Sequence, residues 1–272
     1  MESTVLGTGP LGRAIEEGLR ARGDSVRLLG RPPGRAGHDP TTFGTPVFVF
    51  EASRADAVAA NVDAGLRAGC RRFVIATTGW TASRPEVDAA LRSLGASAVA
   101  APNLSLGAAL FLRLVESATD LFGPVADFEP YLVEWHRRGK RDRPSGTALE
   151  LARRIVARHP RITRSGRPDA ADRPDPADRP AAERPGDTPR SPDELEVVAI
   201  RAGSSPGSHL VGFDAPGETV ELRLTARDRS AYAAGALAAA DWLVRAPRAP
   251  GLHSFDPVVD ELLASRALAA TA

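Results

Sequence analysis

The chain has 272 residues, with 35 Lys and Arg against 34 Asp and Glu, a formal net charge of +1, and 43% hydrophobic residues. That length buries a full core and suits one large or two modest domains, while the balanced charge gives no bulk reason to expect nucleic acid or a membrane surface as a partner. The single cysteine, Cys70, excludes an internal disulfide and fits a reducing cytoplasm, and no run reaches the ~18 apolar residues of a membrane span.

The amino terminus enters a strand almost at once, leaving no room for a signal peptide. Short apolar runs predict strands at Ser3–Leu6, Ser25–Leu29, Pro46–Phe50, Arg72–Ala76 and Ser97–Ala100. Amphipathic stretches at Leu11–Ala21, Ala55–Ala68 and Arg84–Leu94 predict helices between them, and a longer helix runs from Leu106 to Phe122. This alternation argues for a parallel α/β sheet, and the unbroken apolar run Val47-Phe48-Val49-Phe50 suits a strand covered on both faces. Cys70 falls between a helix end and a strand, the setting of a buried structural thiol more than of a nucleophile.

The pattern then changes. Phe128–His136 reads as a strand leading into a polar loop, and Ser145–Arg158 as a helix with Ser145 as N-cap. Strands at Leu195–Arg201, His209–Phe213 and Thr219–Thr225, separated by turns, suit a mostly antiparallel sheet; Ser230–Val244 and Pro257–Leu268 read as helices. The Arg161–Asp193 segment, rich in Arg, Pro, Asp and Ala, has no apolar face to bury. It reads as an extended surface loop without a catalytic part, or as a contact with a neighbouring subunit. The expected fold is α/β: a Rossmann-like dinucleotide-binding domain of residues 1–126 plus 230–272, and a mixed α+β substrate-binding and oligomerisation domain of residues 127–229.

Gly7-Thr8-Gly9-Pro10-Leu11-Gly12 is a G-x-G-x-x-G directly after an apolar strand and before a helix. In that setting the glycines permit a tight turn, backbone approach to a pyrophosphate and close helix packing, so Gly7, Gly9, Pro10, Leu11 and Gly12 are candidate cofactor residues. The second strand ends in Leu29-Gly30-Arg31, without the acid that binds an adenosine ribose in NAD-selective sites. Arg31, helped by Arg35, suits the 2′-phosphate of NADPH; a solvated loop arginine is the alternative, and NADH remains possible.

Lys140 is the one lysine among 35 Lys and Arg residues. In a chain that favours arginine so strongly, it marks a position where a compact, titratable ammonium matters. His136 lies four residues upstream, and the Ser145-Gly146-Thr147 turn opens a helix whose amino end can hold an anion. An imidazole, an ammonium and an anion-binding turn within a dozen residues make a candidate site, with no metal called for.

The segment Glu134-Trp135-His136-Arg137-Arg138-Gly139-Lys140-Arg141-Asp142-Arg143-Pro144-Ser145-Gly146-Thr147-Ala148 resembles the signature of the 4-hydroxy-tetrahydrodipicolinate reductase (dihydrodipicolinate reductase) family, Glu-x-His-His, two residues, then Lys-x-Asp-x-Pro-Ser-Gly-Thr-Ala. Further matches follow in family order at Ala76–Trp80, Ala101–Gly107, Arg201–Gly203, Gly207-x-His209 and Arg229–Ala236. The resemblance implies NAD(P)H-dependent reduction of a small, anionic, carboxylated cyclic imine or enamine in lysine biosynthesis. It further implies His136 as the acid, and Lys140 as a carboxylate ligand that also helps supply the proton. Ser145, Gly146 and Thr147 would bind a carboxylate, and Thr77, Thr78, Gly79, Pro102 and Asn103 would lie beside the nicotinamide and the hinge. A homotetramer in the cytoplasm is implied as well. Arg137 departs from the pattern, standing where the family has a second histidine; it can bind a carboxylate bidentately or reshape the pocket for another substrate. Glu51-Ala52-Ser53 also departs from the Asp-Phe-Thr-like turn of the family. Three readings follow: the lysine-pathway reductase, a paralogue reducing a different C=N compound in specialised metabolism, and a non-catalytic NADPH-binding regulator.

Overall fold

The computed structural model of the chain describes residues 1–166 and 191–270. In chain order the elements are β1 (Glu2–Leu6), α1 (Pro10–Ala21), β2 (Ser25–Leu29), β3 (Phe48–Glu51), α2 (Val58–Arg67), β4 (Arg72–Ile75), α3 (Arg84–Ser93), β5 (Ser97–Ala100) and α4 (Leu106–Phe122). There follow β6 (Glu129–His136), α5 (Gly146–Arg158), β7 (Arg164–Ser165), β8 (Glu194–Arg201), β9 (Ser208–Ala215), β10 (Glu218–Thr225), α6 (Ser230–Arg245), β11 (Gly251–His253) and α7 (Asp256–Ala270). They form two compact units, Met1–Ala109 with Asp228–Ala272, and Leu110–Arg227.

The first unit holds a parallel sheet in the order β2-β1-β3-β4-β5-β11. Period-two alternation sends Val5, Phe50, Val74 and Val99 into one apolar layer, and Leu6, Val49, Phe73, Ile75 and Ala98 into the other. Burying a Val, Leu, Ile or Phe side chain contributes about 1.5–3 kcal/mol, so a sheet covered on both faces is the main source of this unit's stability. The helix expected from Ala55 begins as a 3-10 turn at Ala55–Ala57 and becomes α-helical at Val58. Strand β11 was not expected: three residues starting at a glycine are too few to show periodicity. It is held at the sheet edge by pairing with β5 and by the Leu252 N–H, which donates to Asp88 Oδ1 at 2.7 Å. Cys70 is buried, donates to the Arg72 carbonyl at 3.1 Å, and has its thiol pushed up to about 11 by burial, which marks an inert, packed side chain.

The second unit holds a mixed sheet, β10-β9-β6-β8-β7. Antiparallel pairing covers most of its register, as expected, with a parallel flank on the other side. Strands β6 and β9, and β9 and β10, pair antiparallel, but β6 and β8, and β7 and β8, pair parallel. The cause on this side is α5, which carries the chain from the end of β6 back to β7 as a crossover, and a helical crossover delivers a parallel strand. Phe111, Val115, Leu132, Leu151, Ile155, Leu195, Val211 and Phe213 pack between sheet and helices. Since Phe111 and Val115 belong to α4, most of that helix packs with the second unit, and the division falls near Ala109. The ends of the Arg161–Asp193 segment are structured, in contrast to the loop expected. Arg161 donates to the Ala126, Val125 and Phe128 carbonyls, Thr163 N donates to Asp193 O, and β7 pairs with the start of β8. Residues 167–190 lie outside the described residues. Among the described residues, no helix is long and apolar enough to cross a membrane.

Candidate active site

The turn between β1 and α1 is built as its glycines demand. Gly7 has φ of +111°, where a Cβ would lie 2.3 Å from the Ala52 carbonyl oxygen, and a Cβ on Gly12 would lie 1.8 Å from the Gly7 carbonyl oxygen. Gly9 has open space where a Cβ would be, and Pro10 occupies the first turn of α1, where its missing N–H leaves nothing unsatisfied. Leu11 is half-buried against the adjoining core. A pocket opens beside this turn, lined by Gly7, Gly9, Gly30, Arg31, Arg35 and His38. The cradle over the helix amino end fits a dinucleotide pyrophosphate, and the exposed Arg31 and Arg35 supply positive charge at the end of β2.

Thr77, Thr78 and Gly79 follow the carboxyl end of β4, and Pro102 and Asn103 follow β5. Thr78, Gly79 and Pro102 are exposed, and Asn103 Oδ1 accepts from the Ser105 N–H at 2.8 Å, fixing the entry to α4. Thr77 is buried and donates its hydroxyl to Glu51 Oε1 at 3.1 Å. Glu51 is a hub that sequence reading treated only as a departure. It accepts from the Ser53 N–H and hydroxyl, from Asn61 Nδ2 at 2.7 Å and from Thr77, and burial pushes its carboxyl upward against those bonds.

In the second unit, strand register assembles the polar cluster. Glu134 and His136 are two residues apart on β6 and so share its buried face, while Trp135 between them is 42% exposed on the other. Pairing sets His209 of β9 opposite Glu134, and Arg201 of β8 opposite His136. Glu134 is fully buried; its Oε1 accepts from Arg201 at 2.6 Å and from the Ser145 N–H at 2.9 Å. Its Oε2 lies 3.3 Å from His136 Nδ1 and 3.6 Å from His209 Nε2. The two imidazoles meet edge to face with centroids 5.2 Å apart. Gly207, with φ of +140°, lets β9 begin against the His136 ring, where a Cβ would stand 3.0 Å from Nε2.

The electrostatics follow from burial and neighbours. Burial opposes ionisation of Glu134, but hydrogen bonds from Ser145 and Arg201 prevail and hold its carboxyl below the usual range. His136 is held below an ordinary histidine by burial and by the Lys140 and Arg201 charges, although Glu134 pulls the other way. His209 is depressed further, to about 4, by burial first and then by the neighbouring His136. Glu134 Oε2 and His136 Nδ1 have no conventional hydrogen-bond partner. Glu134, His136 and His209 could span a cation, with ligand atoms within 4.8 Å of one another. The Arg201 guanidinium on the same carboxylate, with Lys140 raising the positive field, disfavours that use and favours handling of a proton.

Lys140 is paired: its ammonium contacts both oxygens of Asp142, at 2.7 and 2.8 Å. Ser145 caps α5 as expected, its hydroxyl accepting from the Ala148 N–H at 3.2 Å and lying 3.1 Å from His209 Nε2. Its own N–H is spent on Glu134, which leaves the exposed Gly146 and the half-buried Thr147 as the remaining members of the turn. Arg137 is exposed, and its backbone N–H donates to the Ser205 carbonyl at 2.8 Å. Sequence reading named His136, Lys140 and Ser145 as site residues but gave no role to Glu134, His209 or Arg201. The two-residue spacing of Glu134 and His136 on a strand was the signal available for the first.

Comparison with known proteins points the same way. Residues 107–259 match the family described as dihydrodipicolinate reductase, C-terminus. A 4-hydroxy-tetrahydrodipicolinate reductase from Methanosarcina barkeri is 31% identical over 212 residues, 78% of this chain and 72% of the relative. One from Myxococcus xanthus is 36% identical over 189 residues, 69% of this chain and 62% of the relative. The dipicolinate-bound dihydrodipicolinate reductase from Paenisporosarcina sp. TG-14 superposes with a TM-score of 0.66 at 15% identity, covering 93% of this chain and 97% of that one, which bears on the fold. With its parallel dinucleotide-type sheet, its mixed second sheet and these relatives, the chain belongs to the dihydrodipicolinate reductase family of oxidoreductases.

Proposed function

We propose that the chain reduces 4-hydroxy-tetrahydrodipicolinate, a small carboxylated cyclic C=N substrate of lysine biosynthesis, with NADPH as the preferred donor. The observation that carries this reading is the buried Glu134–His136–His209–Arg201 cluster beside Lys140 and the Ser145 turn. The bound dinucleotide supplies a hydride. The protein's part is to hold the anionic substrate and to deliver a proton near the reduced carbon. His136 is the acid: Glu134 faces its Nδ1 and favours the protonated ring, against the burial and the Lys140 and Arg201 charges that lower its proton affinity and so favour release. Lys140 exchanges Asp142 for a substrate carboxylate, and the amino end of α5 at Gly146 and Thr147 takes a second anionic oxygen. Arg137, on the exposed side of the same loop, holds a substrate carboxylate bidentately in this reading; in the second reading it has shifted the pocket to another carboxylated C=N compound.

Arg31, with no acid at the end of β2, supports NADPH over NADH. A homo-oligomer, tetrameric as in the family resemblance, is supported by the uncovered face of the second sheet. There Trp135, Val198 and Ile200 are 42%, 40% and 38% exposed on adjacent strands. The single cysteine, Cys70, supports a cytoplasmic setting. A direct assay tests the reading: nicotinamide oxidation on addition of freshly generated hydroxy-tetrahydrodipicolinate supports it, and none at any substrate concentration rejects it.

A further inference from the structure

Glu51 ends β3 with a side chain that solvent does not reach. It does not line the nucleotide pocket, yet two of its partners, Ser53 and Asn61, do. Its Oε1 accepts from the Ser53 N–H at 2.9 Å and from the Thr77 hydroxyl at 3.1 Å, and its Oε2 accepts from Asn61 Nδ2 at 2.7 Å. The Asn61 amide passes the restraint on, because its Oδ1 accepts from the His38 backbone N–H at 3.1 Å. The Thr77 carbonyl is held in turn by Trp80 Nε1 at 2.8 Å. One buried carboxyl therefore ties together the loops that follow β2, β3 and β4.

Packing gives no reason for an acid at this position. The preceding residues of β3, Phe48, Val49 and Phe50, are equally buried and apolar, and burying a carboxyl is costly unless it is hydrogen-bonded. What the acid adds is reach to three loops at the carboxyl ends of parallel strands, the edge at which open α/β sheets bind their ligands.

We propose that Glu51 is a positioning residue for the dinucleotide: it holds these three loops in the arrangement that receives the cofactor, without touching the cofactor itself. The inference rests on the reading of this pocket as a dinucleotide site and names what preorganises it. Apparent affinity scales with the fraction of protein whose loops are competent to bind. Loosening them therefore weakens NADPH and NADH by the same factor. Glu51→Gln is the smallest such perturbation. The glutamine keeps the volume and one oxygen, but its amide nitrogen meets Asn61 Nδ2. If Asn61 turns over, its Nδ2 meets the His38 N–H instead, so one donor faces another in either arrangement.

Full-length wild type, Glu51→Gln, Glu51→Asp and Leu91→Ala are titrated with NADPH and with NADH by fluorescence, at a temperature where circular dichroism shows each folded. Leu91, buried in α3 and outside the pocket, is the control for lost stability alone. Both Glu51 variants bind both nucleotides about tenfold more weakly (1.4 kcal/mol) with the NADPH-to-NADH ratio kept, and Leu91→Ala binds as wild type. Glu51 variants that match wild type, a changed ratio, or equal weakening in Leu91→Ala overturns the proposal. If neither Glu51 variant folds, amide exchange in the nucleotide-free wild type decides. The Ser53 and His38 N–H groups must then exchange slowly, and fast exchange at either overturns the proposal. A wild type that binds neither nucleotide removes the dinucleotide reading of the pocket, and the inference with it.

Discussion

Glu134→Gln isolates the charge on which the cluster is built, because glutamine keeps the shape and one acceptor oxygen. In the native protein the fully buried carboxylate accepts from Arg201 at 2.6 Å and from the Ser145 N–H at 2.9 Å. Without the charge, the nearly buried Arg201 guanidinium keeps the Asp142 and Ile200 carbonyls and a neutral amide oxygen in place of a carboxylate. Deleting one member of a buried pair costs about 3–5 kcal/mol, and a hydrogen bond to a charged group is worth about 1.5–3 kcal/mol. Since the amide oxygen still accepts, a loss of about 2–4 kcal/mol is expected by urea unfolding. His136 loses the carboxylate that faces Nδ1, so kcat should fall by ~10²-fold, the lower end of the range for a lost catalytic acid. NADPH affinity should hold, because Glu134 makes no contact in the nucleotide pocket. A variant within about 0.5 kcal/mol of wild type, the range of ordinary surface substitutions, and with unchanged kcat would refute the hub role.

Lys140→Ala should abolish turnover with nucleotide affinity intact, and Lys140→Arg should also be poor, because a planar fork replaces a compact ammonium paired with Asp142; an Arg variant equal to wild type in steady-state kinetics would remove the case for the solitary lysine. Arg31→Ala should weaken NADPH far more than NADH in equilibrium titrations, and equal weakening would show that Arg31 does not read the 2′-phosphate. His209 has its folded value lowered from 6.5 to about 4, so below pH 6.5 the unfolded chain takes up a proton that the folded one refuses. Stability should therefore fall by up to roughly 3 kcal/mol as pH drops from about 6.5 to about 4. His209→Gln should flatten that slope in urea unfolding at a series of pH values, and an unchanged slope would assign it to other groups.

What could be read from the sequence was whatever depends on near neighbours. The Gly7–Gly12 turn and the Ser145 cap of α5 are each decided within a few residues, and the structure builds them accordingly. The parallel sheet was legible because its strands are short, apolar and separated by helices. The hub role of Glu134 was hidden, because it exists only once β9 lies antiparallel and β8 parallel to β6, bringing His209 and Arg201 across from residues more than 60 positions earlier. Glu51 was hidden similarly, since Asn61 and Thr77 reach it from α2 and from the loop after β4. Strand β11 and the split packing of α4 depend on the tertiary neighbours of Leu252 and Phe111, which no local pattern records.

The central claim is that the Glu134–His136 cluster serves the lysine-pathway reduction with Arg137 as a working part of the site. Its most direct test is kcat/KM for hydroxy-tetrahydrodipicolinate with NADPH, measured on wild type and on Arg137→His. An efficient wild type that the substitution harms is the predicted result. A tenfold or greater gain in Arg137→His, about 1.4 kcal/mol of transition-state stabilisation, over a poor wild type would show that the site serves a different C=N substrate.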